Sequence, residues 1–155
     1  MDRIDRQILA LLQEDATLST AEIAERVSLT TTPCWRRIQN LEKRGVITAR
    51  VALLDREALN LAVDVFVAVR TNRHDTEWLE RFAAVVTEFP EIVEIHRMSG
   101  QVDYLLRVVV PDIAAYDAVY RRLIARIEIA DVSSSFAMER IKSTTILPLD
   151  YAPGD

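Results

Sequence analysis

Residues 18–47 read LSTAEIAERVSLTTTPCWRRIQNLEKRGVI and decide the fold. Ser19 and Glu22 form an S-x-x-E capping box ahead of an apolar run, each side chain placed to take the other residue's backbone N–H. Leu18, just before the cap, and Ile23, at the fourth helical position, make a hydrophobic staple. Ile23, Ala24 and Val27 then mark one apolar face of a short helix. Ser28-Leu29-Thr30 breaks it. A second helix is expected to start within 30–32. Pro33 fits its first turn, where backbone N–H groups have no intrahelical acceptor. Cys34, Ile38 and Leu41 recur at helical spacing and face inward. Thr31, Thr32, Arg36, Arg37 and Lys43 are left outside. Two short helices around a tight turn, the second basic and Thr-rich at its start, suit a helix-turn-helix that reads the major groove of double-stranded DNA. The bland alternative is a helical pair with a solvated charged face.

Charge weighs against that alternative. Between residues 31 and 50, Arg36, Arg37, Lys43, Arg44 and Arg50 stand against Glu42 alone. The chain carries 19 basic and 24 acidic residues, of which 8 and 7 fall in the first fifty, leaving 11 and 17 after Arg50. A net charge of −5 therefore coexists with a local basic stripe. Such a stripe is sufficient for phosphate contact, and an acidic remainder limits non-specific adhesion.

The length of 155 residues accommodates one or two small domains, and half the residues are hydrophobic. Three glycines and five prolines exclude a low-complexity chain. No apolar run approaches a membrane span, and the charged start MDRIDRQ is no signal peptide, so a cytoplasmic protein without membrane association is expected. Cys34 is the single cysteine, which rules out an internal disulfide. On the inward face it reads as a small hydrophobe. His74 and His96 have no cysteine nearby, so no metal site and no cofactor are expected. Trp35 is expected to pack at the wing.

A first helix is expected over 2–14, with Ile4, Ile8, Leu11 and Leu12 packing on the helix-turn-helix core. Gly45 ends the third helix as a C′ residue, and 46–54 reads as a strand or short wing. Residues 55–61 are the expected hinge, and firm because they lack Gly and Pro. From residue 62 the period changes. Val63, Val65, Val67 and Val69 alternate as a strand. Residues 76–89 read as a helix stopped by Pro90, 92–98 as a strand, 99–103 as a turn and 104–110 as a strand. Residues 113–127 read as a second helix and 132–138 as a fourth strand, with 141–149 a candidate edge strand. The expected class is α+β: a winged helix-turn-helix over 1–54, then a ferredoxin-like βαββαβ unit over 62–155. Helices on one face of the sheet leave the other open, and a second subunit is its simplest cover.

An amino-terminal helix-turn-helix joined to this unit resembles the Lrp/AsnC family of feast/famine transcription regulators. IDRQILALLQEDA is similar to the family's opening helix, and TTTPCWRRIQNLEKRGVI to its recognition helix. RMSGQVDYLLRVVV carries the G-x-x-D-Y signature as Gly100, Asp103 and Tyr104. VSSSFAMERIKSTTILPL resembles the closing strand pair, and the runs SSSFAMERIK and TTTPCW are similar to a cysteine-responsive subgroup. The resemblance implies homodimers through the effector domains, often assembled into octamers. It also implies a small amino-acid effector near the G-x-x-D-Y turn.

The residues make chemical sense of that implication. Gly100 lets backbone approach a ligand, Asp103 can pair with an α-ammonium, and Ser99 with nearby N–H groups can hold an α-carboxylate. The competing reading is an ordinary hairpin turn, where Gly and Asp are common. Ser133, Ser134 and Ser135 stand between lining a pocket, with Ser134 or Ser135 supplying a hydroxyl, and forming a polar strand face. Three functions compete: a sequence-specific regulator whose binding or assembly responds to an amino acid, an architectural DNA-wrapping protein, and an enzyme on the βαββαβ unit. The last lacks a paired acid and base, an activated nucleophile or a metal set.

Overall fold

A computed structural model describes residues 1–73 and 75–154. His74 therefore lies outside the described residues. The chain divides into two compact units: Met1–Leu53 together with the chain from Lys142 onward, and Leu54–Ile141.

The first unit holds three helices, α1 (Arg3–Glu14), α2 (Thr20–Arg26) and α3 (Thr31–Lys43). Both halves of the Ser19/Glu22 capping box are formed at the start of α2. α1 starts with a second capping box, between Asp2 and Asp5. Ile8, Leu9, Ile23, Ala24, Val27, Cys34, Ile38 and Leu41 form the buried core, with Leu18 packed against it. Ser28 makes the turn between α2 and α3 in the left-handed region, at φ 56°. Gly45 follows α3 at φ 71°, the conformation a C′ position requires.

Two expected strands do not form. Residues 46–54 adopt no regular structure. A strand needs a partner for its ladder, and this segment has none among the described residues: Val51, Leu53 and Leu54 remain largely exposed. Residues 141–149 likewise leave the sheet and end in a single 3-10 turn, Leu149–Tyr151. Their polar groups find partners on α1 instead, through Gln13 and Leu147.

The second unit is the expected βαββαβ arrangement: β1 (Val63–Arg70), α4 (Thr76–Thr87), β2 (Ile92–Arg97), β3 (Tyr104–Val110), α5 (Ile113–Ile124) and β4 (Asp131–Phe136). The sheet runs β2-β3-β1-β4 with every neighbour antiparallel. Val65, Val67 and Val69 point one way and are buried with Trp78, Phe82 and Val86 of α4 and Tyr116, Val119 and Leu123 of α5. Residues 55–61 group with this unit. Asp55 accepts the N–H of Glu57 and of Ala58, and Asn60 takes φ 56° to close the turn. Arg56 fastens the turn to Leu61 O at 2.8 Å and to the Asp64 carboxylate.

The face of the sheet away from the helices mixes polar and apolar residues. The register puts Asp64, Phe66, Ala68, Arg107, Leu105, Glu94, Ser133 and Ser135 there. At its centre Asp64 is paired with Arg56 and Arg107, and Arg107 reaches Glu94 at 2.6 Å. Phe66 is 39 % exposed on the same face.

Candidate DNA-reading helix and effector turn

α3 is held from one side and bare on the other. Cys34, Ile38 and Leu41 bury its inner stripe. Burial pushes the Cys34 thiol up, which keeps it protonated and unreactive, as a core residue should be. The outer stripe carries Thr32, Arg36, Gln39 and Lys43, spaced four, three and four apart, with Asn40 beside them and Thr31 at the first turn, all exposed. Pro33 sits at the third helical position and Thr30 caps the helix by backbone geometry alone. Gln39 and Asn40 complete a polar surface that charge and Thr content alone did not pick out. Trp35 is 52 % exposed on this helix, not packed at a wing, because no wing strand forms for it to pack against.

Arg37 departs from expectation. It does not stand free beside Arg36: one guanidinium nitrogen donates to Asp2 and to Asp5, both at 2.7 Å. Those two carboxylates are the capping box of α1. Arg37 is pushed above its ordinary pKa by the hydrogen bonds it donates to Asp5 and Asp2. The α1 backbone amides and the Arg37 guanidinium hold Asp2 below the usual carboxylate range. The geometry makes Arg37 a clamp between α1 and α3. The physical reason lies at the start of the chain: two acidic residues three apart pull in the one cation of α3 that lies at the edge of its buried stripe.

The turn between β2 and β3 is tightly wired. Met98 N–H donates to Asp103 O at 2.8 Å, and Asp103 N–H donates to Val69 O at 3.0 Å. One Asp103 carboxylate oxygen accepts the Thr71 N–H at 2.8 Å, tying this turn to the loop after β1. Gly100 has φ 122°, a conformation L side chains rarely adopt, and open space where a Cβ would stand. Its glycine is demanded by backbone conformation, not by a close approach of other protein atoms. A cleft on this side is lined by Arg70, Thr71, Asn72, Gly100, Gln101, Asp103, Ala130 and Asp131. Arg70 lacked any sequence signal beyond its place at the end of β1, yet it puts a cation opposite Asp131.

The four other expected effector residues do not line this cleft. Tyr104 is buried, its ring 4.7 Å from that of Phe82 and 5.8 Å from that of Trp78, and it lines a small pocket with Asp103, Arg73 and Arg97 rather than the cleft at Gly100. Ser134 shares a short hydrogen bond with the Tyr116 hydroxyl on the helix-covered face. Ser135 pairs across from Phe66 on the opposite face. Alternation along a strand forbids these two hydroxyls from lining one pocket. Ser99 is exposed at the turn but does not line the cleft.

A three-helix unit with a bare basic helix, joined in one chain to a βαββαβ sheet with a cleft at its β2–β3 turn, is the architecture expected of a DNA-binding regulator. The description "Winged helix-turn-helix DNA-binding" matches residues 1–48, and "Lrp/AsnC ligand binding domain" matches residues 64–147. The chain is 51% identical over 151 residues to the DNA-binding transcriptional activator DecR of Escherichia coli strain K12, spanning 97% of this chain and 99% of that protein. Among solved structures it is similar to an AsnC family transcriptional regulator from Agrobacterium tumefaciens. That match has a TM-score of 0.96 at 67% identity, over 99% of this chain and 100% of the other. A transcriptional regulator from Neisseria meningitidis, solved as its L-Met complex, matches with a TM-score of 0.92 at 37% identity over 97% of each chain. The chain belongs to the Lrp/AsnC family. It is a DNA-binding transcriptional regulator, as these relatives are, and not an enzyme. No helix among the described residues is long and apolar enough to cross a membrane.

Proposed function

We propose that this regulator reads its operator through the outer stripe of α3 and is tuned by a small amino acid bound in the Gly100–Asp103 cleft. Thr31, Thr32, Arg36 and Lys43 make the DNA contacts, with Gln39 and Asn40 on the same surface. The carrying observation is the division of α3 into a fully buried stripe and an exposed one that carries Arg36 and Lys43. An arginine bidentate to guanine is worth roughly 1–3 kcal/mol of base discrimination, while a phosphate contact strengthens all sequences alike.

The effector is a zwitterion, so it needs an acceptor and a donor set together. Asp103 offers the carboxylate, and Arg70 and the backbone near Gly100 offer the donors for the α-carboxylate. L-Cysteine is the first candidate, from the subgroup likeness and the match to DecR; the L-Met complex of the Neisseria regulator puts a second sulfur amino acid next in line. The working form is at least a homodimer in the cytoplasm, paired through the mixed face that carries Phe66 and Leu105, and octamers extend it. Two-fold pairing sets half-sites about 34 Å or a multiple apart.

Calorimetry with reduced L-cysteine tests the site. Asp103→Asn keeps an oxygen for the Thr71 N–H and removes only the charge. It is expected to weaken binding by an amount on the order of 2 kcal/mol or more, as losing a desolvated charge partner does, while DNA binding in the absence of effector persists. Equal heats in wild type and variant would return Asp103 to a turn residue. No heat with any amino acid would favour an architectural protein.

A further inference from the structure

The DNA-binding match ends at residue 48 and the ligand-binding match runs to 147, yet the chain from Lys142 onward groups with the helices. We infer that residues 145–152 are a positioning element of the DNA-binding unit, which braces α1 and, through α1, the recognition helix.

Four observations carry this. The Gln13 side chain pairs with the Leu147 backbone in both directions: Leu147 N–H donates to Gln13 Oε1 at 2.7 Å, and Gln13 Nε2 donates to Leu147 O at 3.3 Å. This is the pattern of a strand pair, made by one side chain. Arg6, one residue past the α1 capping box, donates from Nη2 to Ala152 O at 3.1 Å. Its Nε is buried without a partner, a cost that the Ala152 contact offsets. Leu149 and Ala152 pack against the same core that holds Ile8, Cys34 and Ile38. Pro148 precedes the 3-10 turn Leu149–Tyr151 and cannot donate to a ladder, so the segment is unsuited to extend the sheet.

The brace acts at both ends of α1. Gln13 lies in its last turn and Arg6 in its first turns. The clamp from Arg37 on α3 meets α1 at Asp2 and Asp5. Segment 145–152 and α3 are thus fastened to one helix, and loosening the first frees the second to shift. Because this chain also continues from β4, the sheet unit is joined covalently to the DNA-binding unit twice, once before β1 and once after β4. Gln13, Arg6 and Leu149 are positioning residues: none of them lies on α3.

The test uses the full chain and a DNA duplex enriched by the wild-type protein from a random-sequence pool. Leu149→Asp is expected to raise amide exchange across α1 by roughly tenfold or more while Val65, Val67 and Val69 in β1 keep their protection. Affinity for the duplex is expected to fall by a similar factor. The slope of log affinity against log salt stays at its wild-type value, since no phosphate contact is removed. Gln13→Ala, a milder change at a half-buried position, is expected to act in the same direction by about two- to threefold. Unchanged exchange and affinity in both variants would overturn the inference. So would exchange rising equally in α1 and β1, which would make the segment a brace of the whole chain. A salt slope reduced by about one would also overturn it, because that is the signature of a lost DNA contact.

Discussion

The two functional regions spend their polar residues in opposite ways. On α3 the outer stripe leaves Arg36 and Lys43 without an ion pair among the described residues, and the threonines beside them are exposed, so their chemistry is available. At the β2–β3 turn and in the neighbouring sheet, polar groups are already engaged: Asp103 by the Thr71 amide, Ser134 by Tyr116 on the helix-covered face, Asp64 by two guanidinium groups on the other. A surface that meets a large polyanion can stay open to water until it binds. A turn that must hold a shaped cleft uses part of its own chemistry to keep that shape. Arg37 is the exception on α3, a cation already paired with Asp2 and Asp5 that ties this helix to α1.

The largest expected effect lies on the engaged side. Asp64 is nearly buried, and Arg56 and Arg107 both depend on it. Asp64→Ala leaves two half-buried cations without their shared partner and should cost the sheet unit roughly 3 kcal/mol, read from the buried Trp78 in a Trp35→Phe background. A cost within a few tenths of a kcal/mol, the range of an ordinary exposed substitution, would mean that the network is ornamental. The same group makes the sheet unit acid-sensitive. Burial alone would raise the Asp64 carboxyl, but the hydrogen bonds from Arg107 and Arg56 win and hold it below its ordinary value. Glu94 is lowered chiefly by Arg107. Groups depressed in the folded state contribute stability that is fully present above the ordinary carboxylate pKa of about 4. That contribution is lost as pH falls through the folded values. Stability of this unit that rises on acidification from pH 5 would contradict the sign.

Arg37→Ala comes next and separates holding from reading. It should cost the helical unit about 1 kcal/mol, a value kept low by the exposed third of the Arg37 side chain and the exposure of Asp2. Operator affinity should fall only as far as α3 is loosened, with the salt slope unchanged. A slope lower by about one would restore Arg37 as a phosphate contact. Ser134→Ala is the smallest. Losing the Tyr116 partner should cost about 0.5–1 kcal/mol of stability and leave effector affinity alone. A loss of effector binding would place Ser134 in the site after all.

The fold was legible because its signals are periodic. The Ser19/Glu22 box, the Cys34-Ile38-Leu41 stripe and the Val63-Val69 alternation each report a local geometry that packing then keeps. The segments 46–54 and 141–149 misled because strand-like composition does not reveal whether a partner strand exists. Among the site residues, type and period located the outer face of α3 well. They could not show that Arg37 would meet Asp2 and Asp5, more than thirty residues earlier in the chain. Nor could they show that the ring of Tyr104 would stack into the core, or that Ser134 would meet the Tyr116 hydroxyl. Long-range pairing decides these cases, and a linear pattern does not encode it.

The central claim is that the exposed stripe of α3 reads DNA while its neighbour Arg37 holds the helix. Arg36→Ala, assayed by titration against the selected duplex and against single-base variants of it, tests this most directly. The account predicts unchanged thermal stability together with a loss of roughly 1–3 kcal/mol on the selected duplex, and relaxed discrimination at one base position if Arg36 contacts guanine. Equal affinity of Arg36→Ala and wild type for every duplex at moderate salt would contradict it.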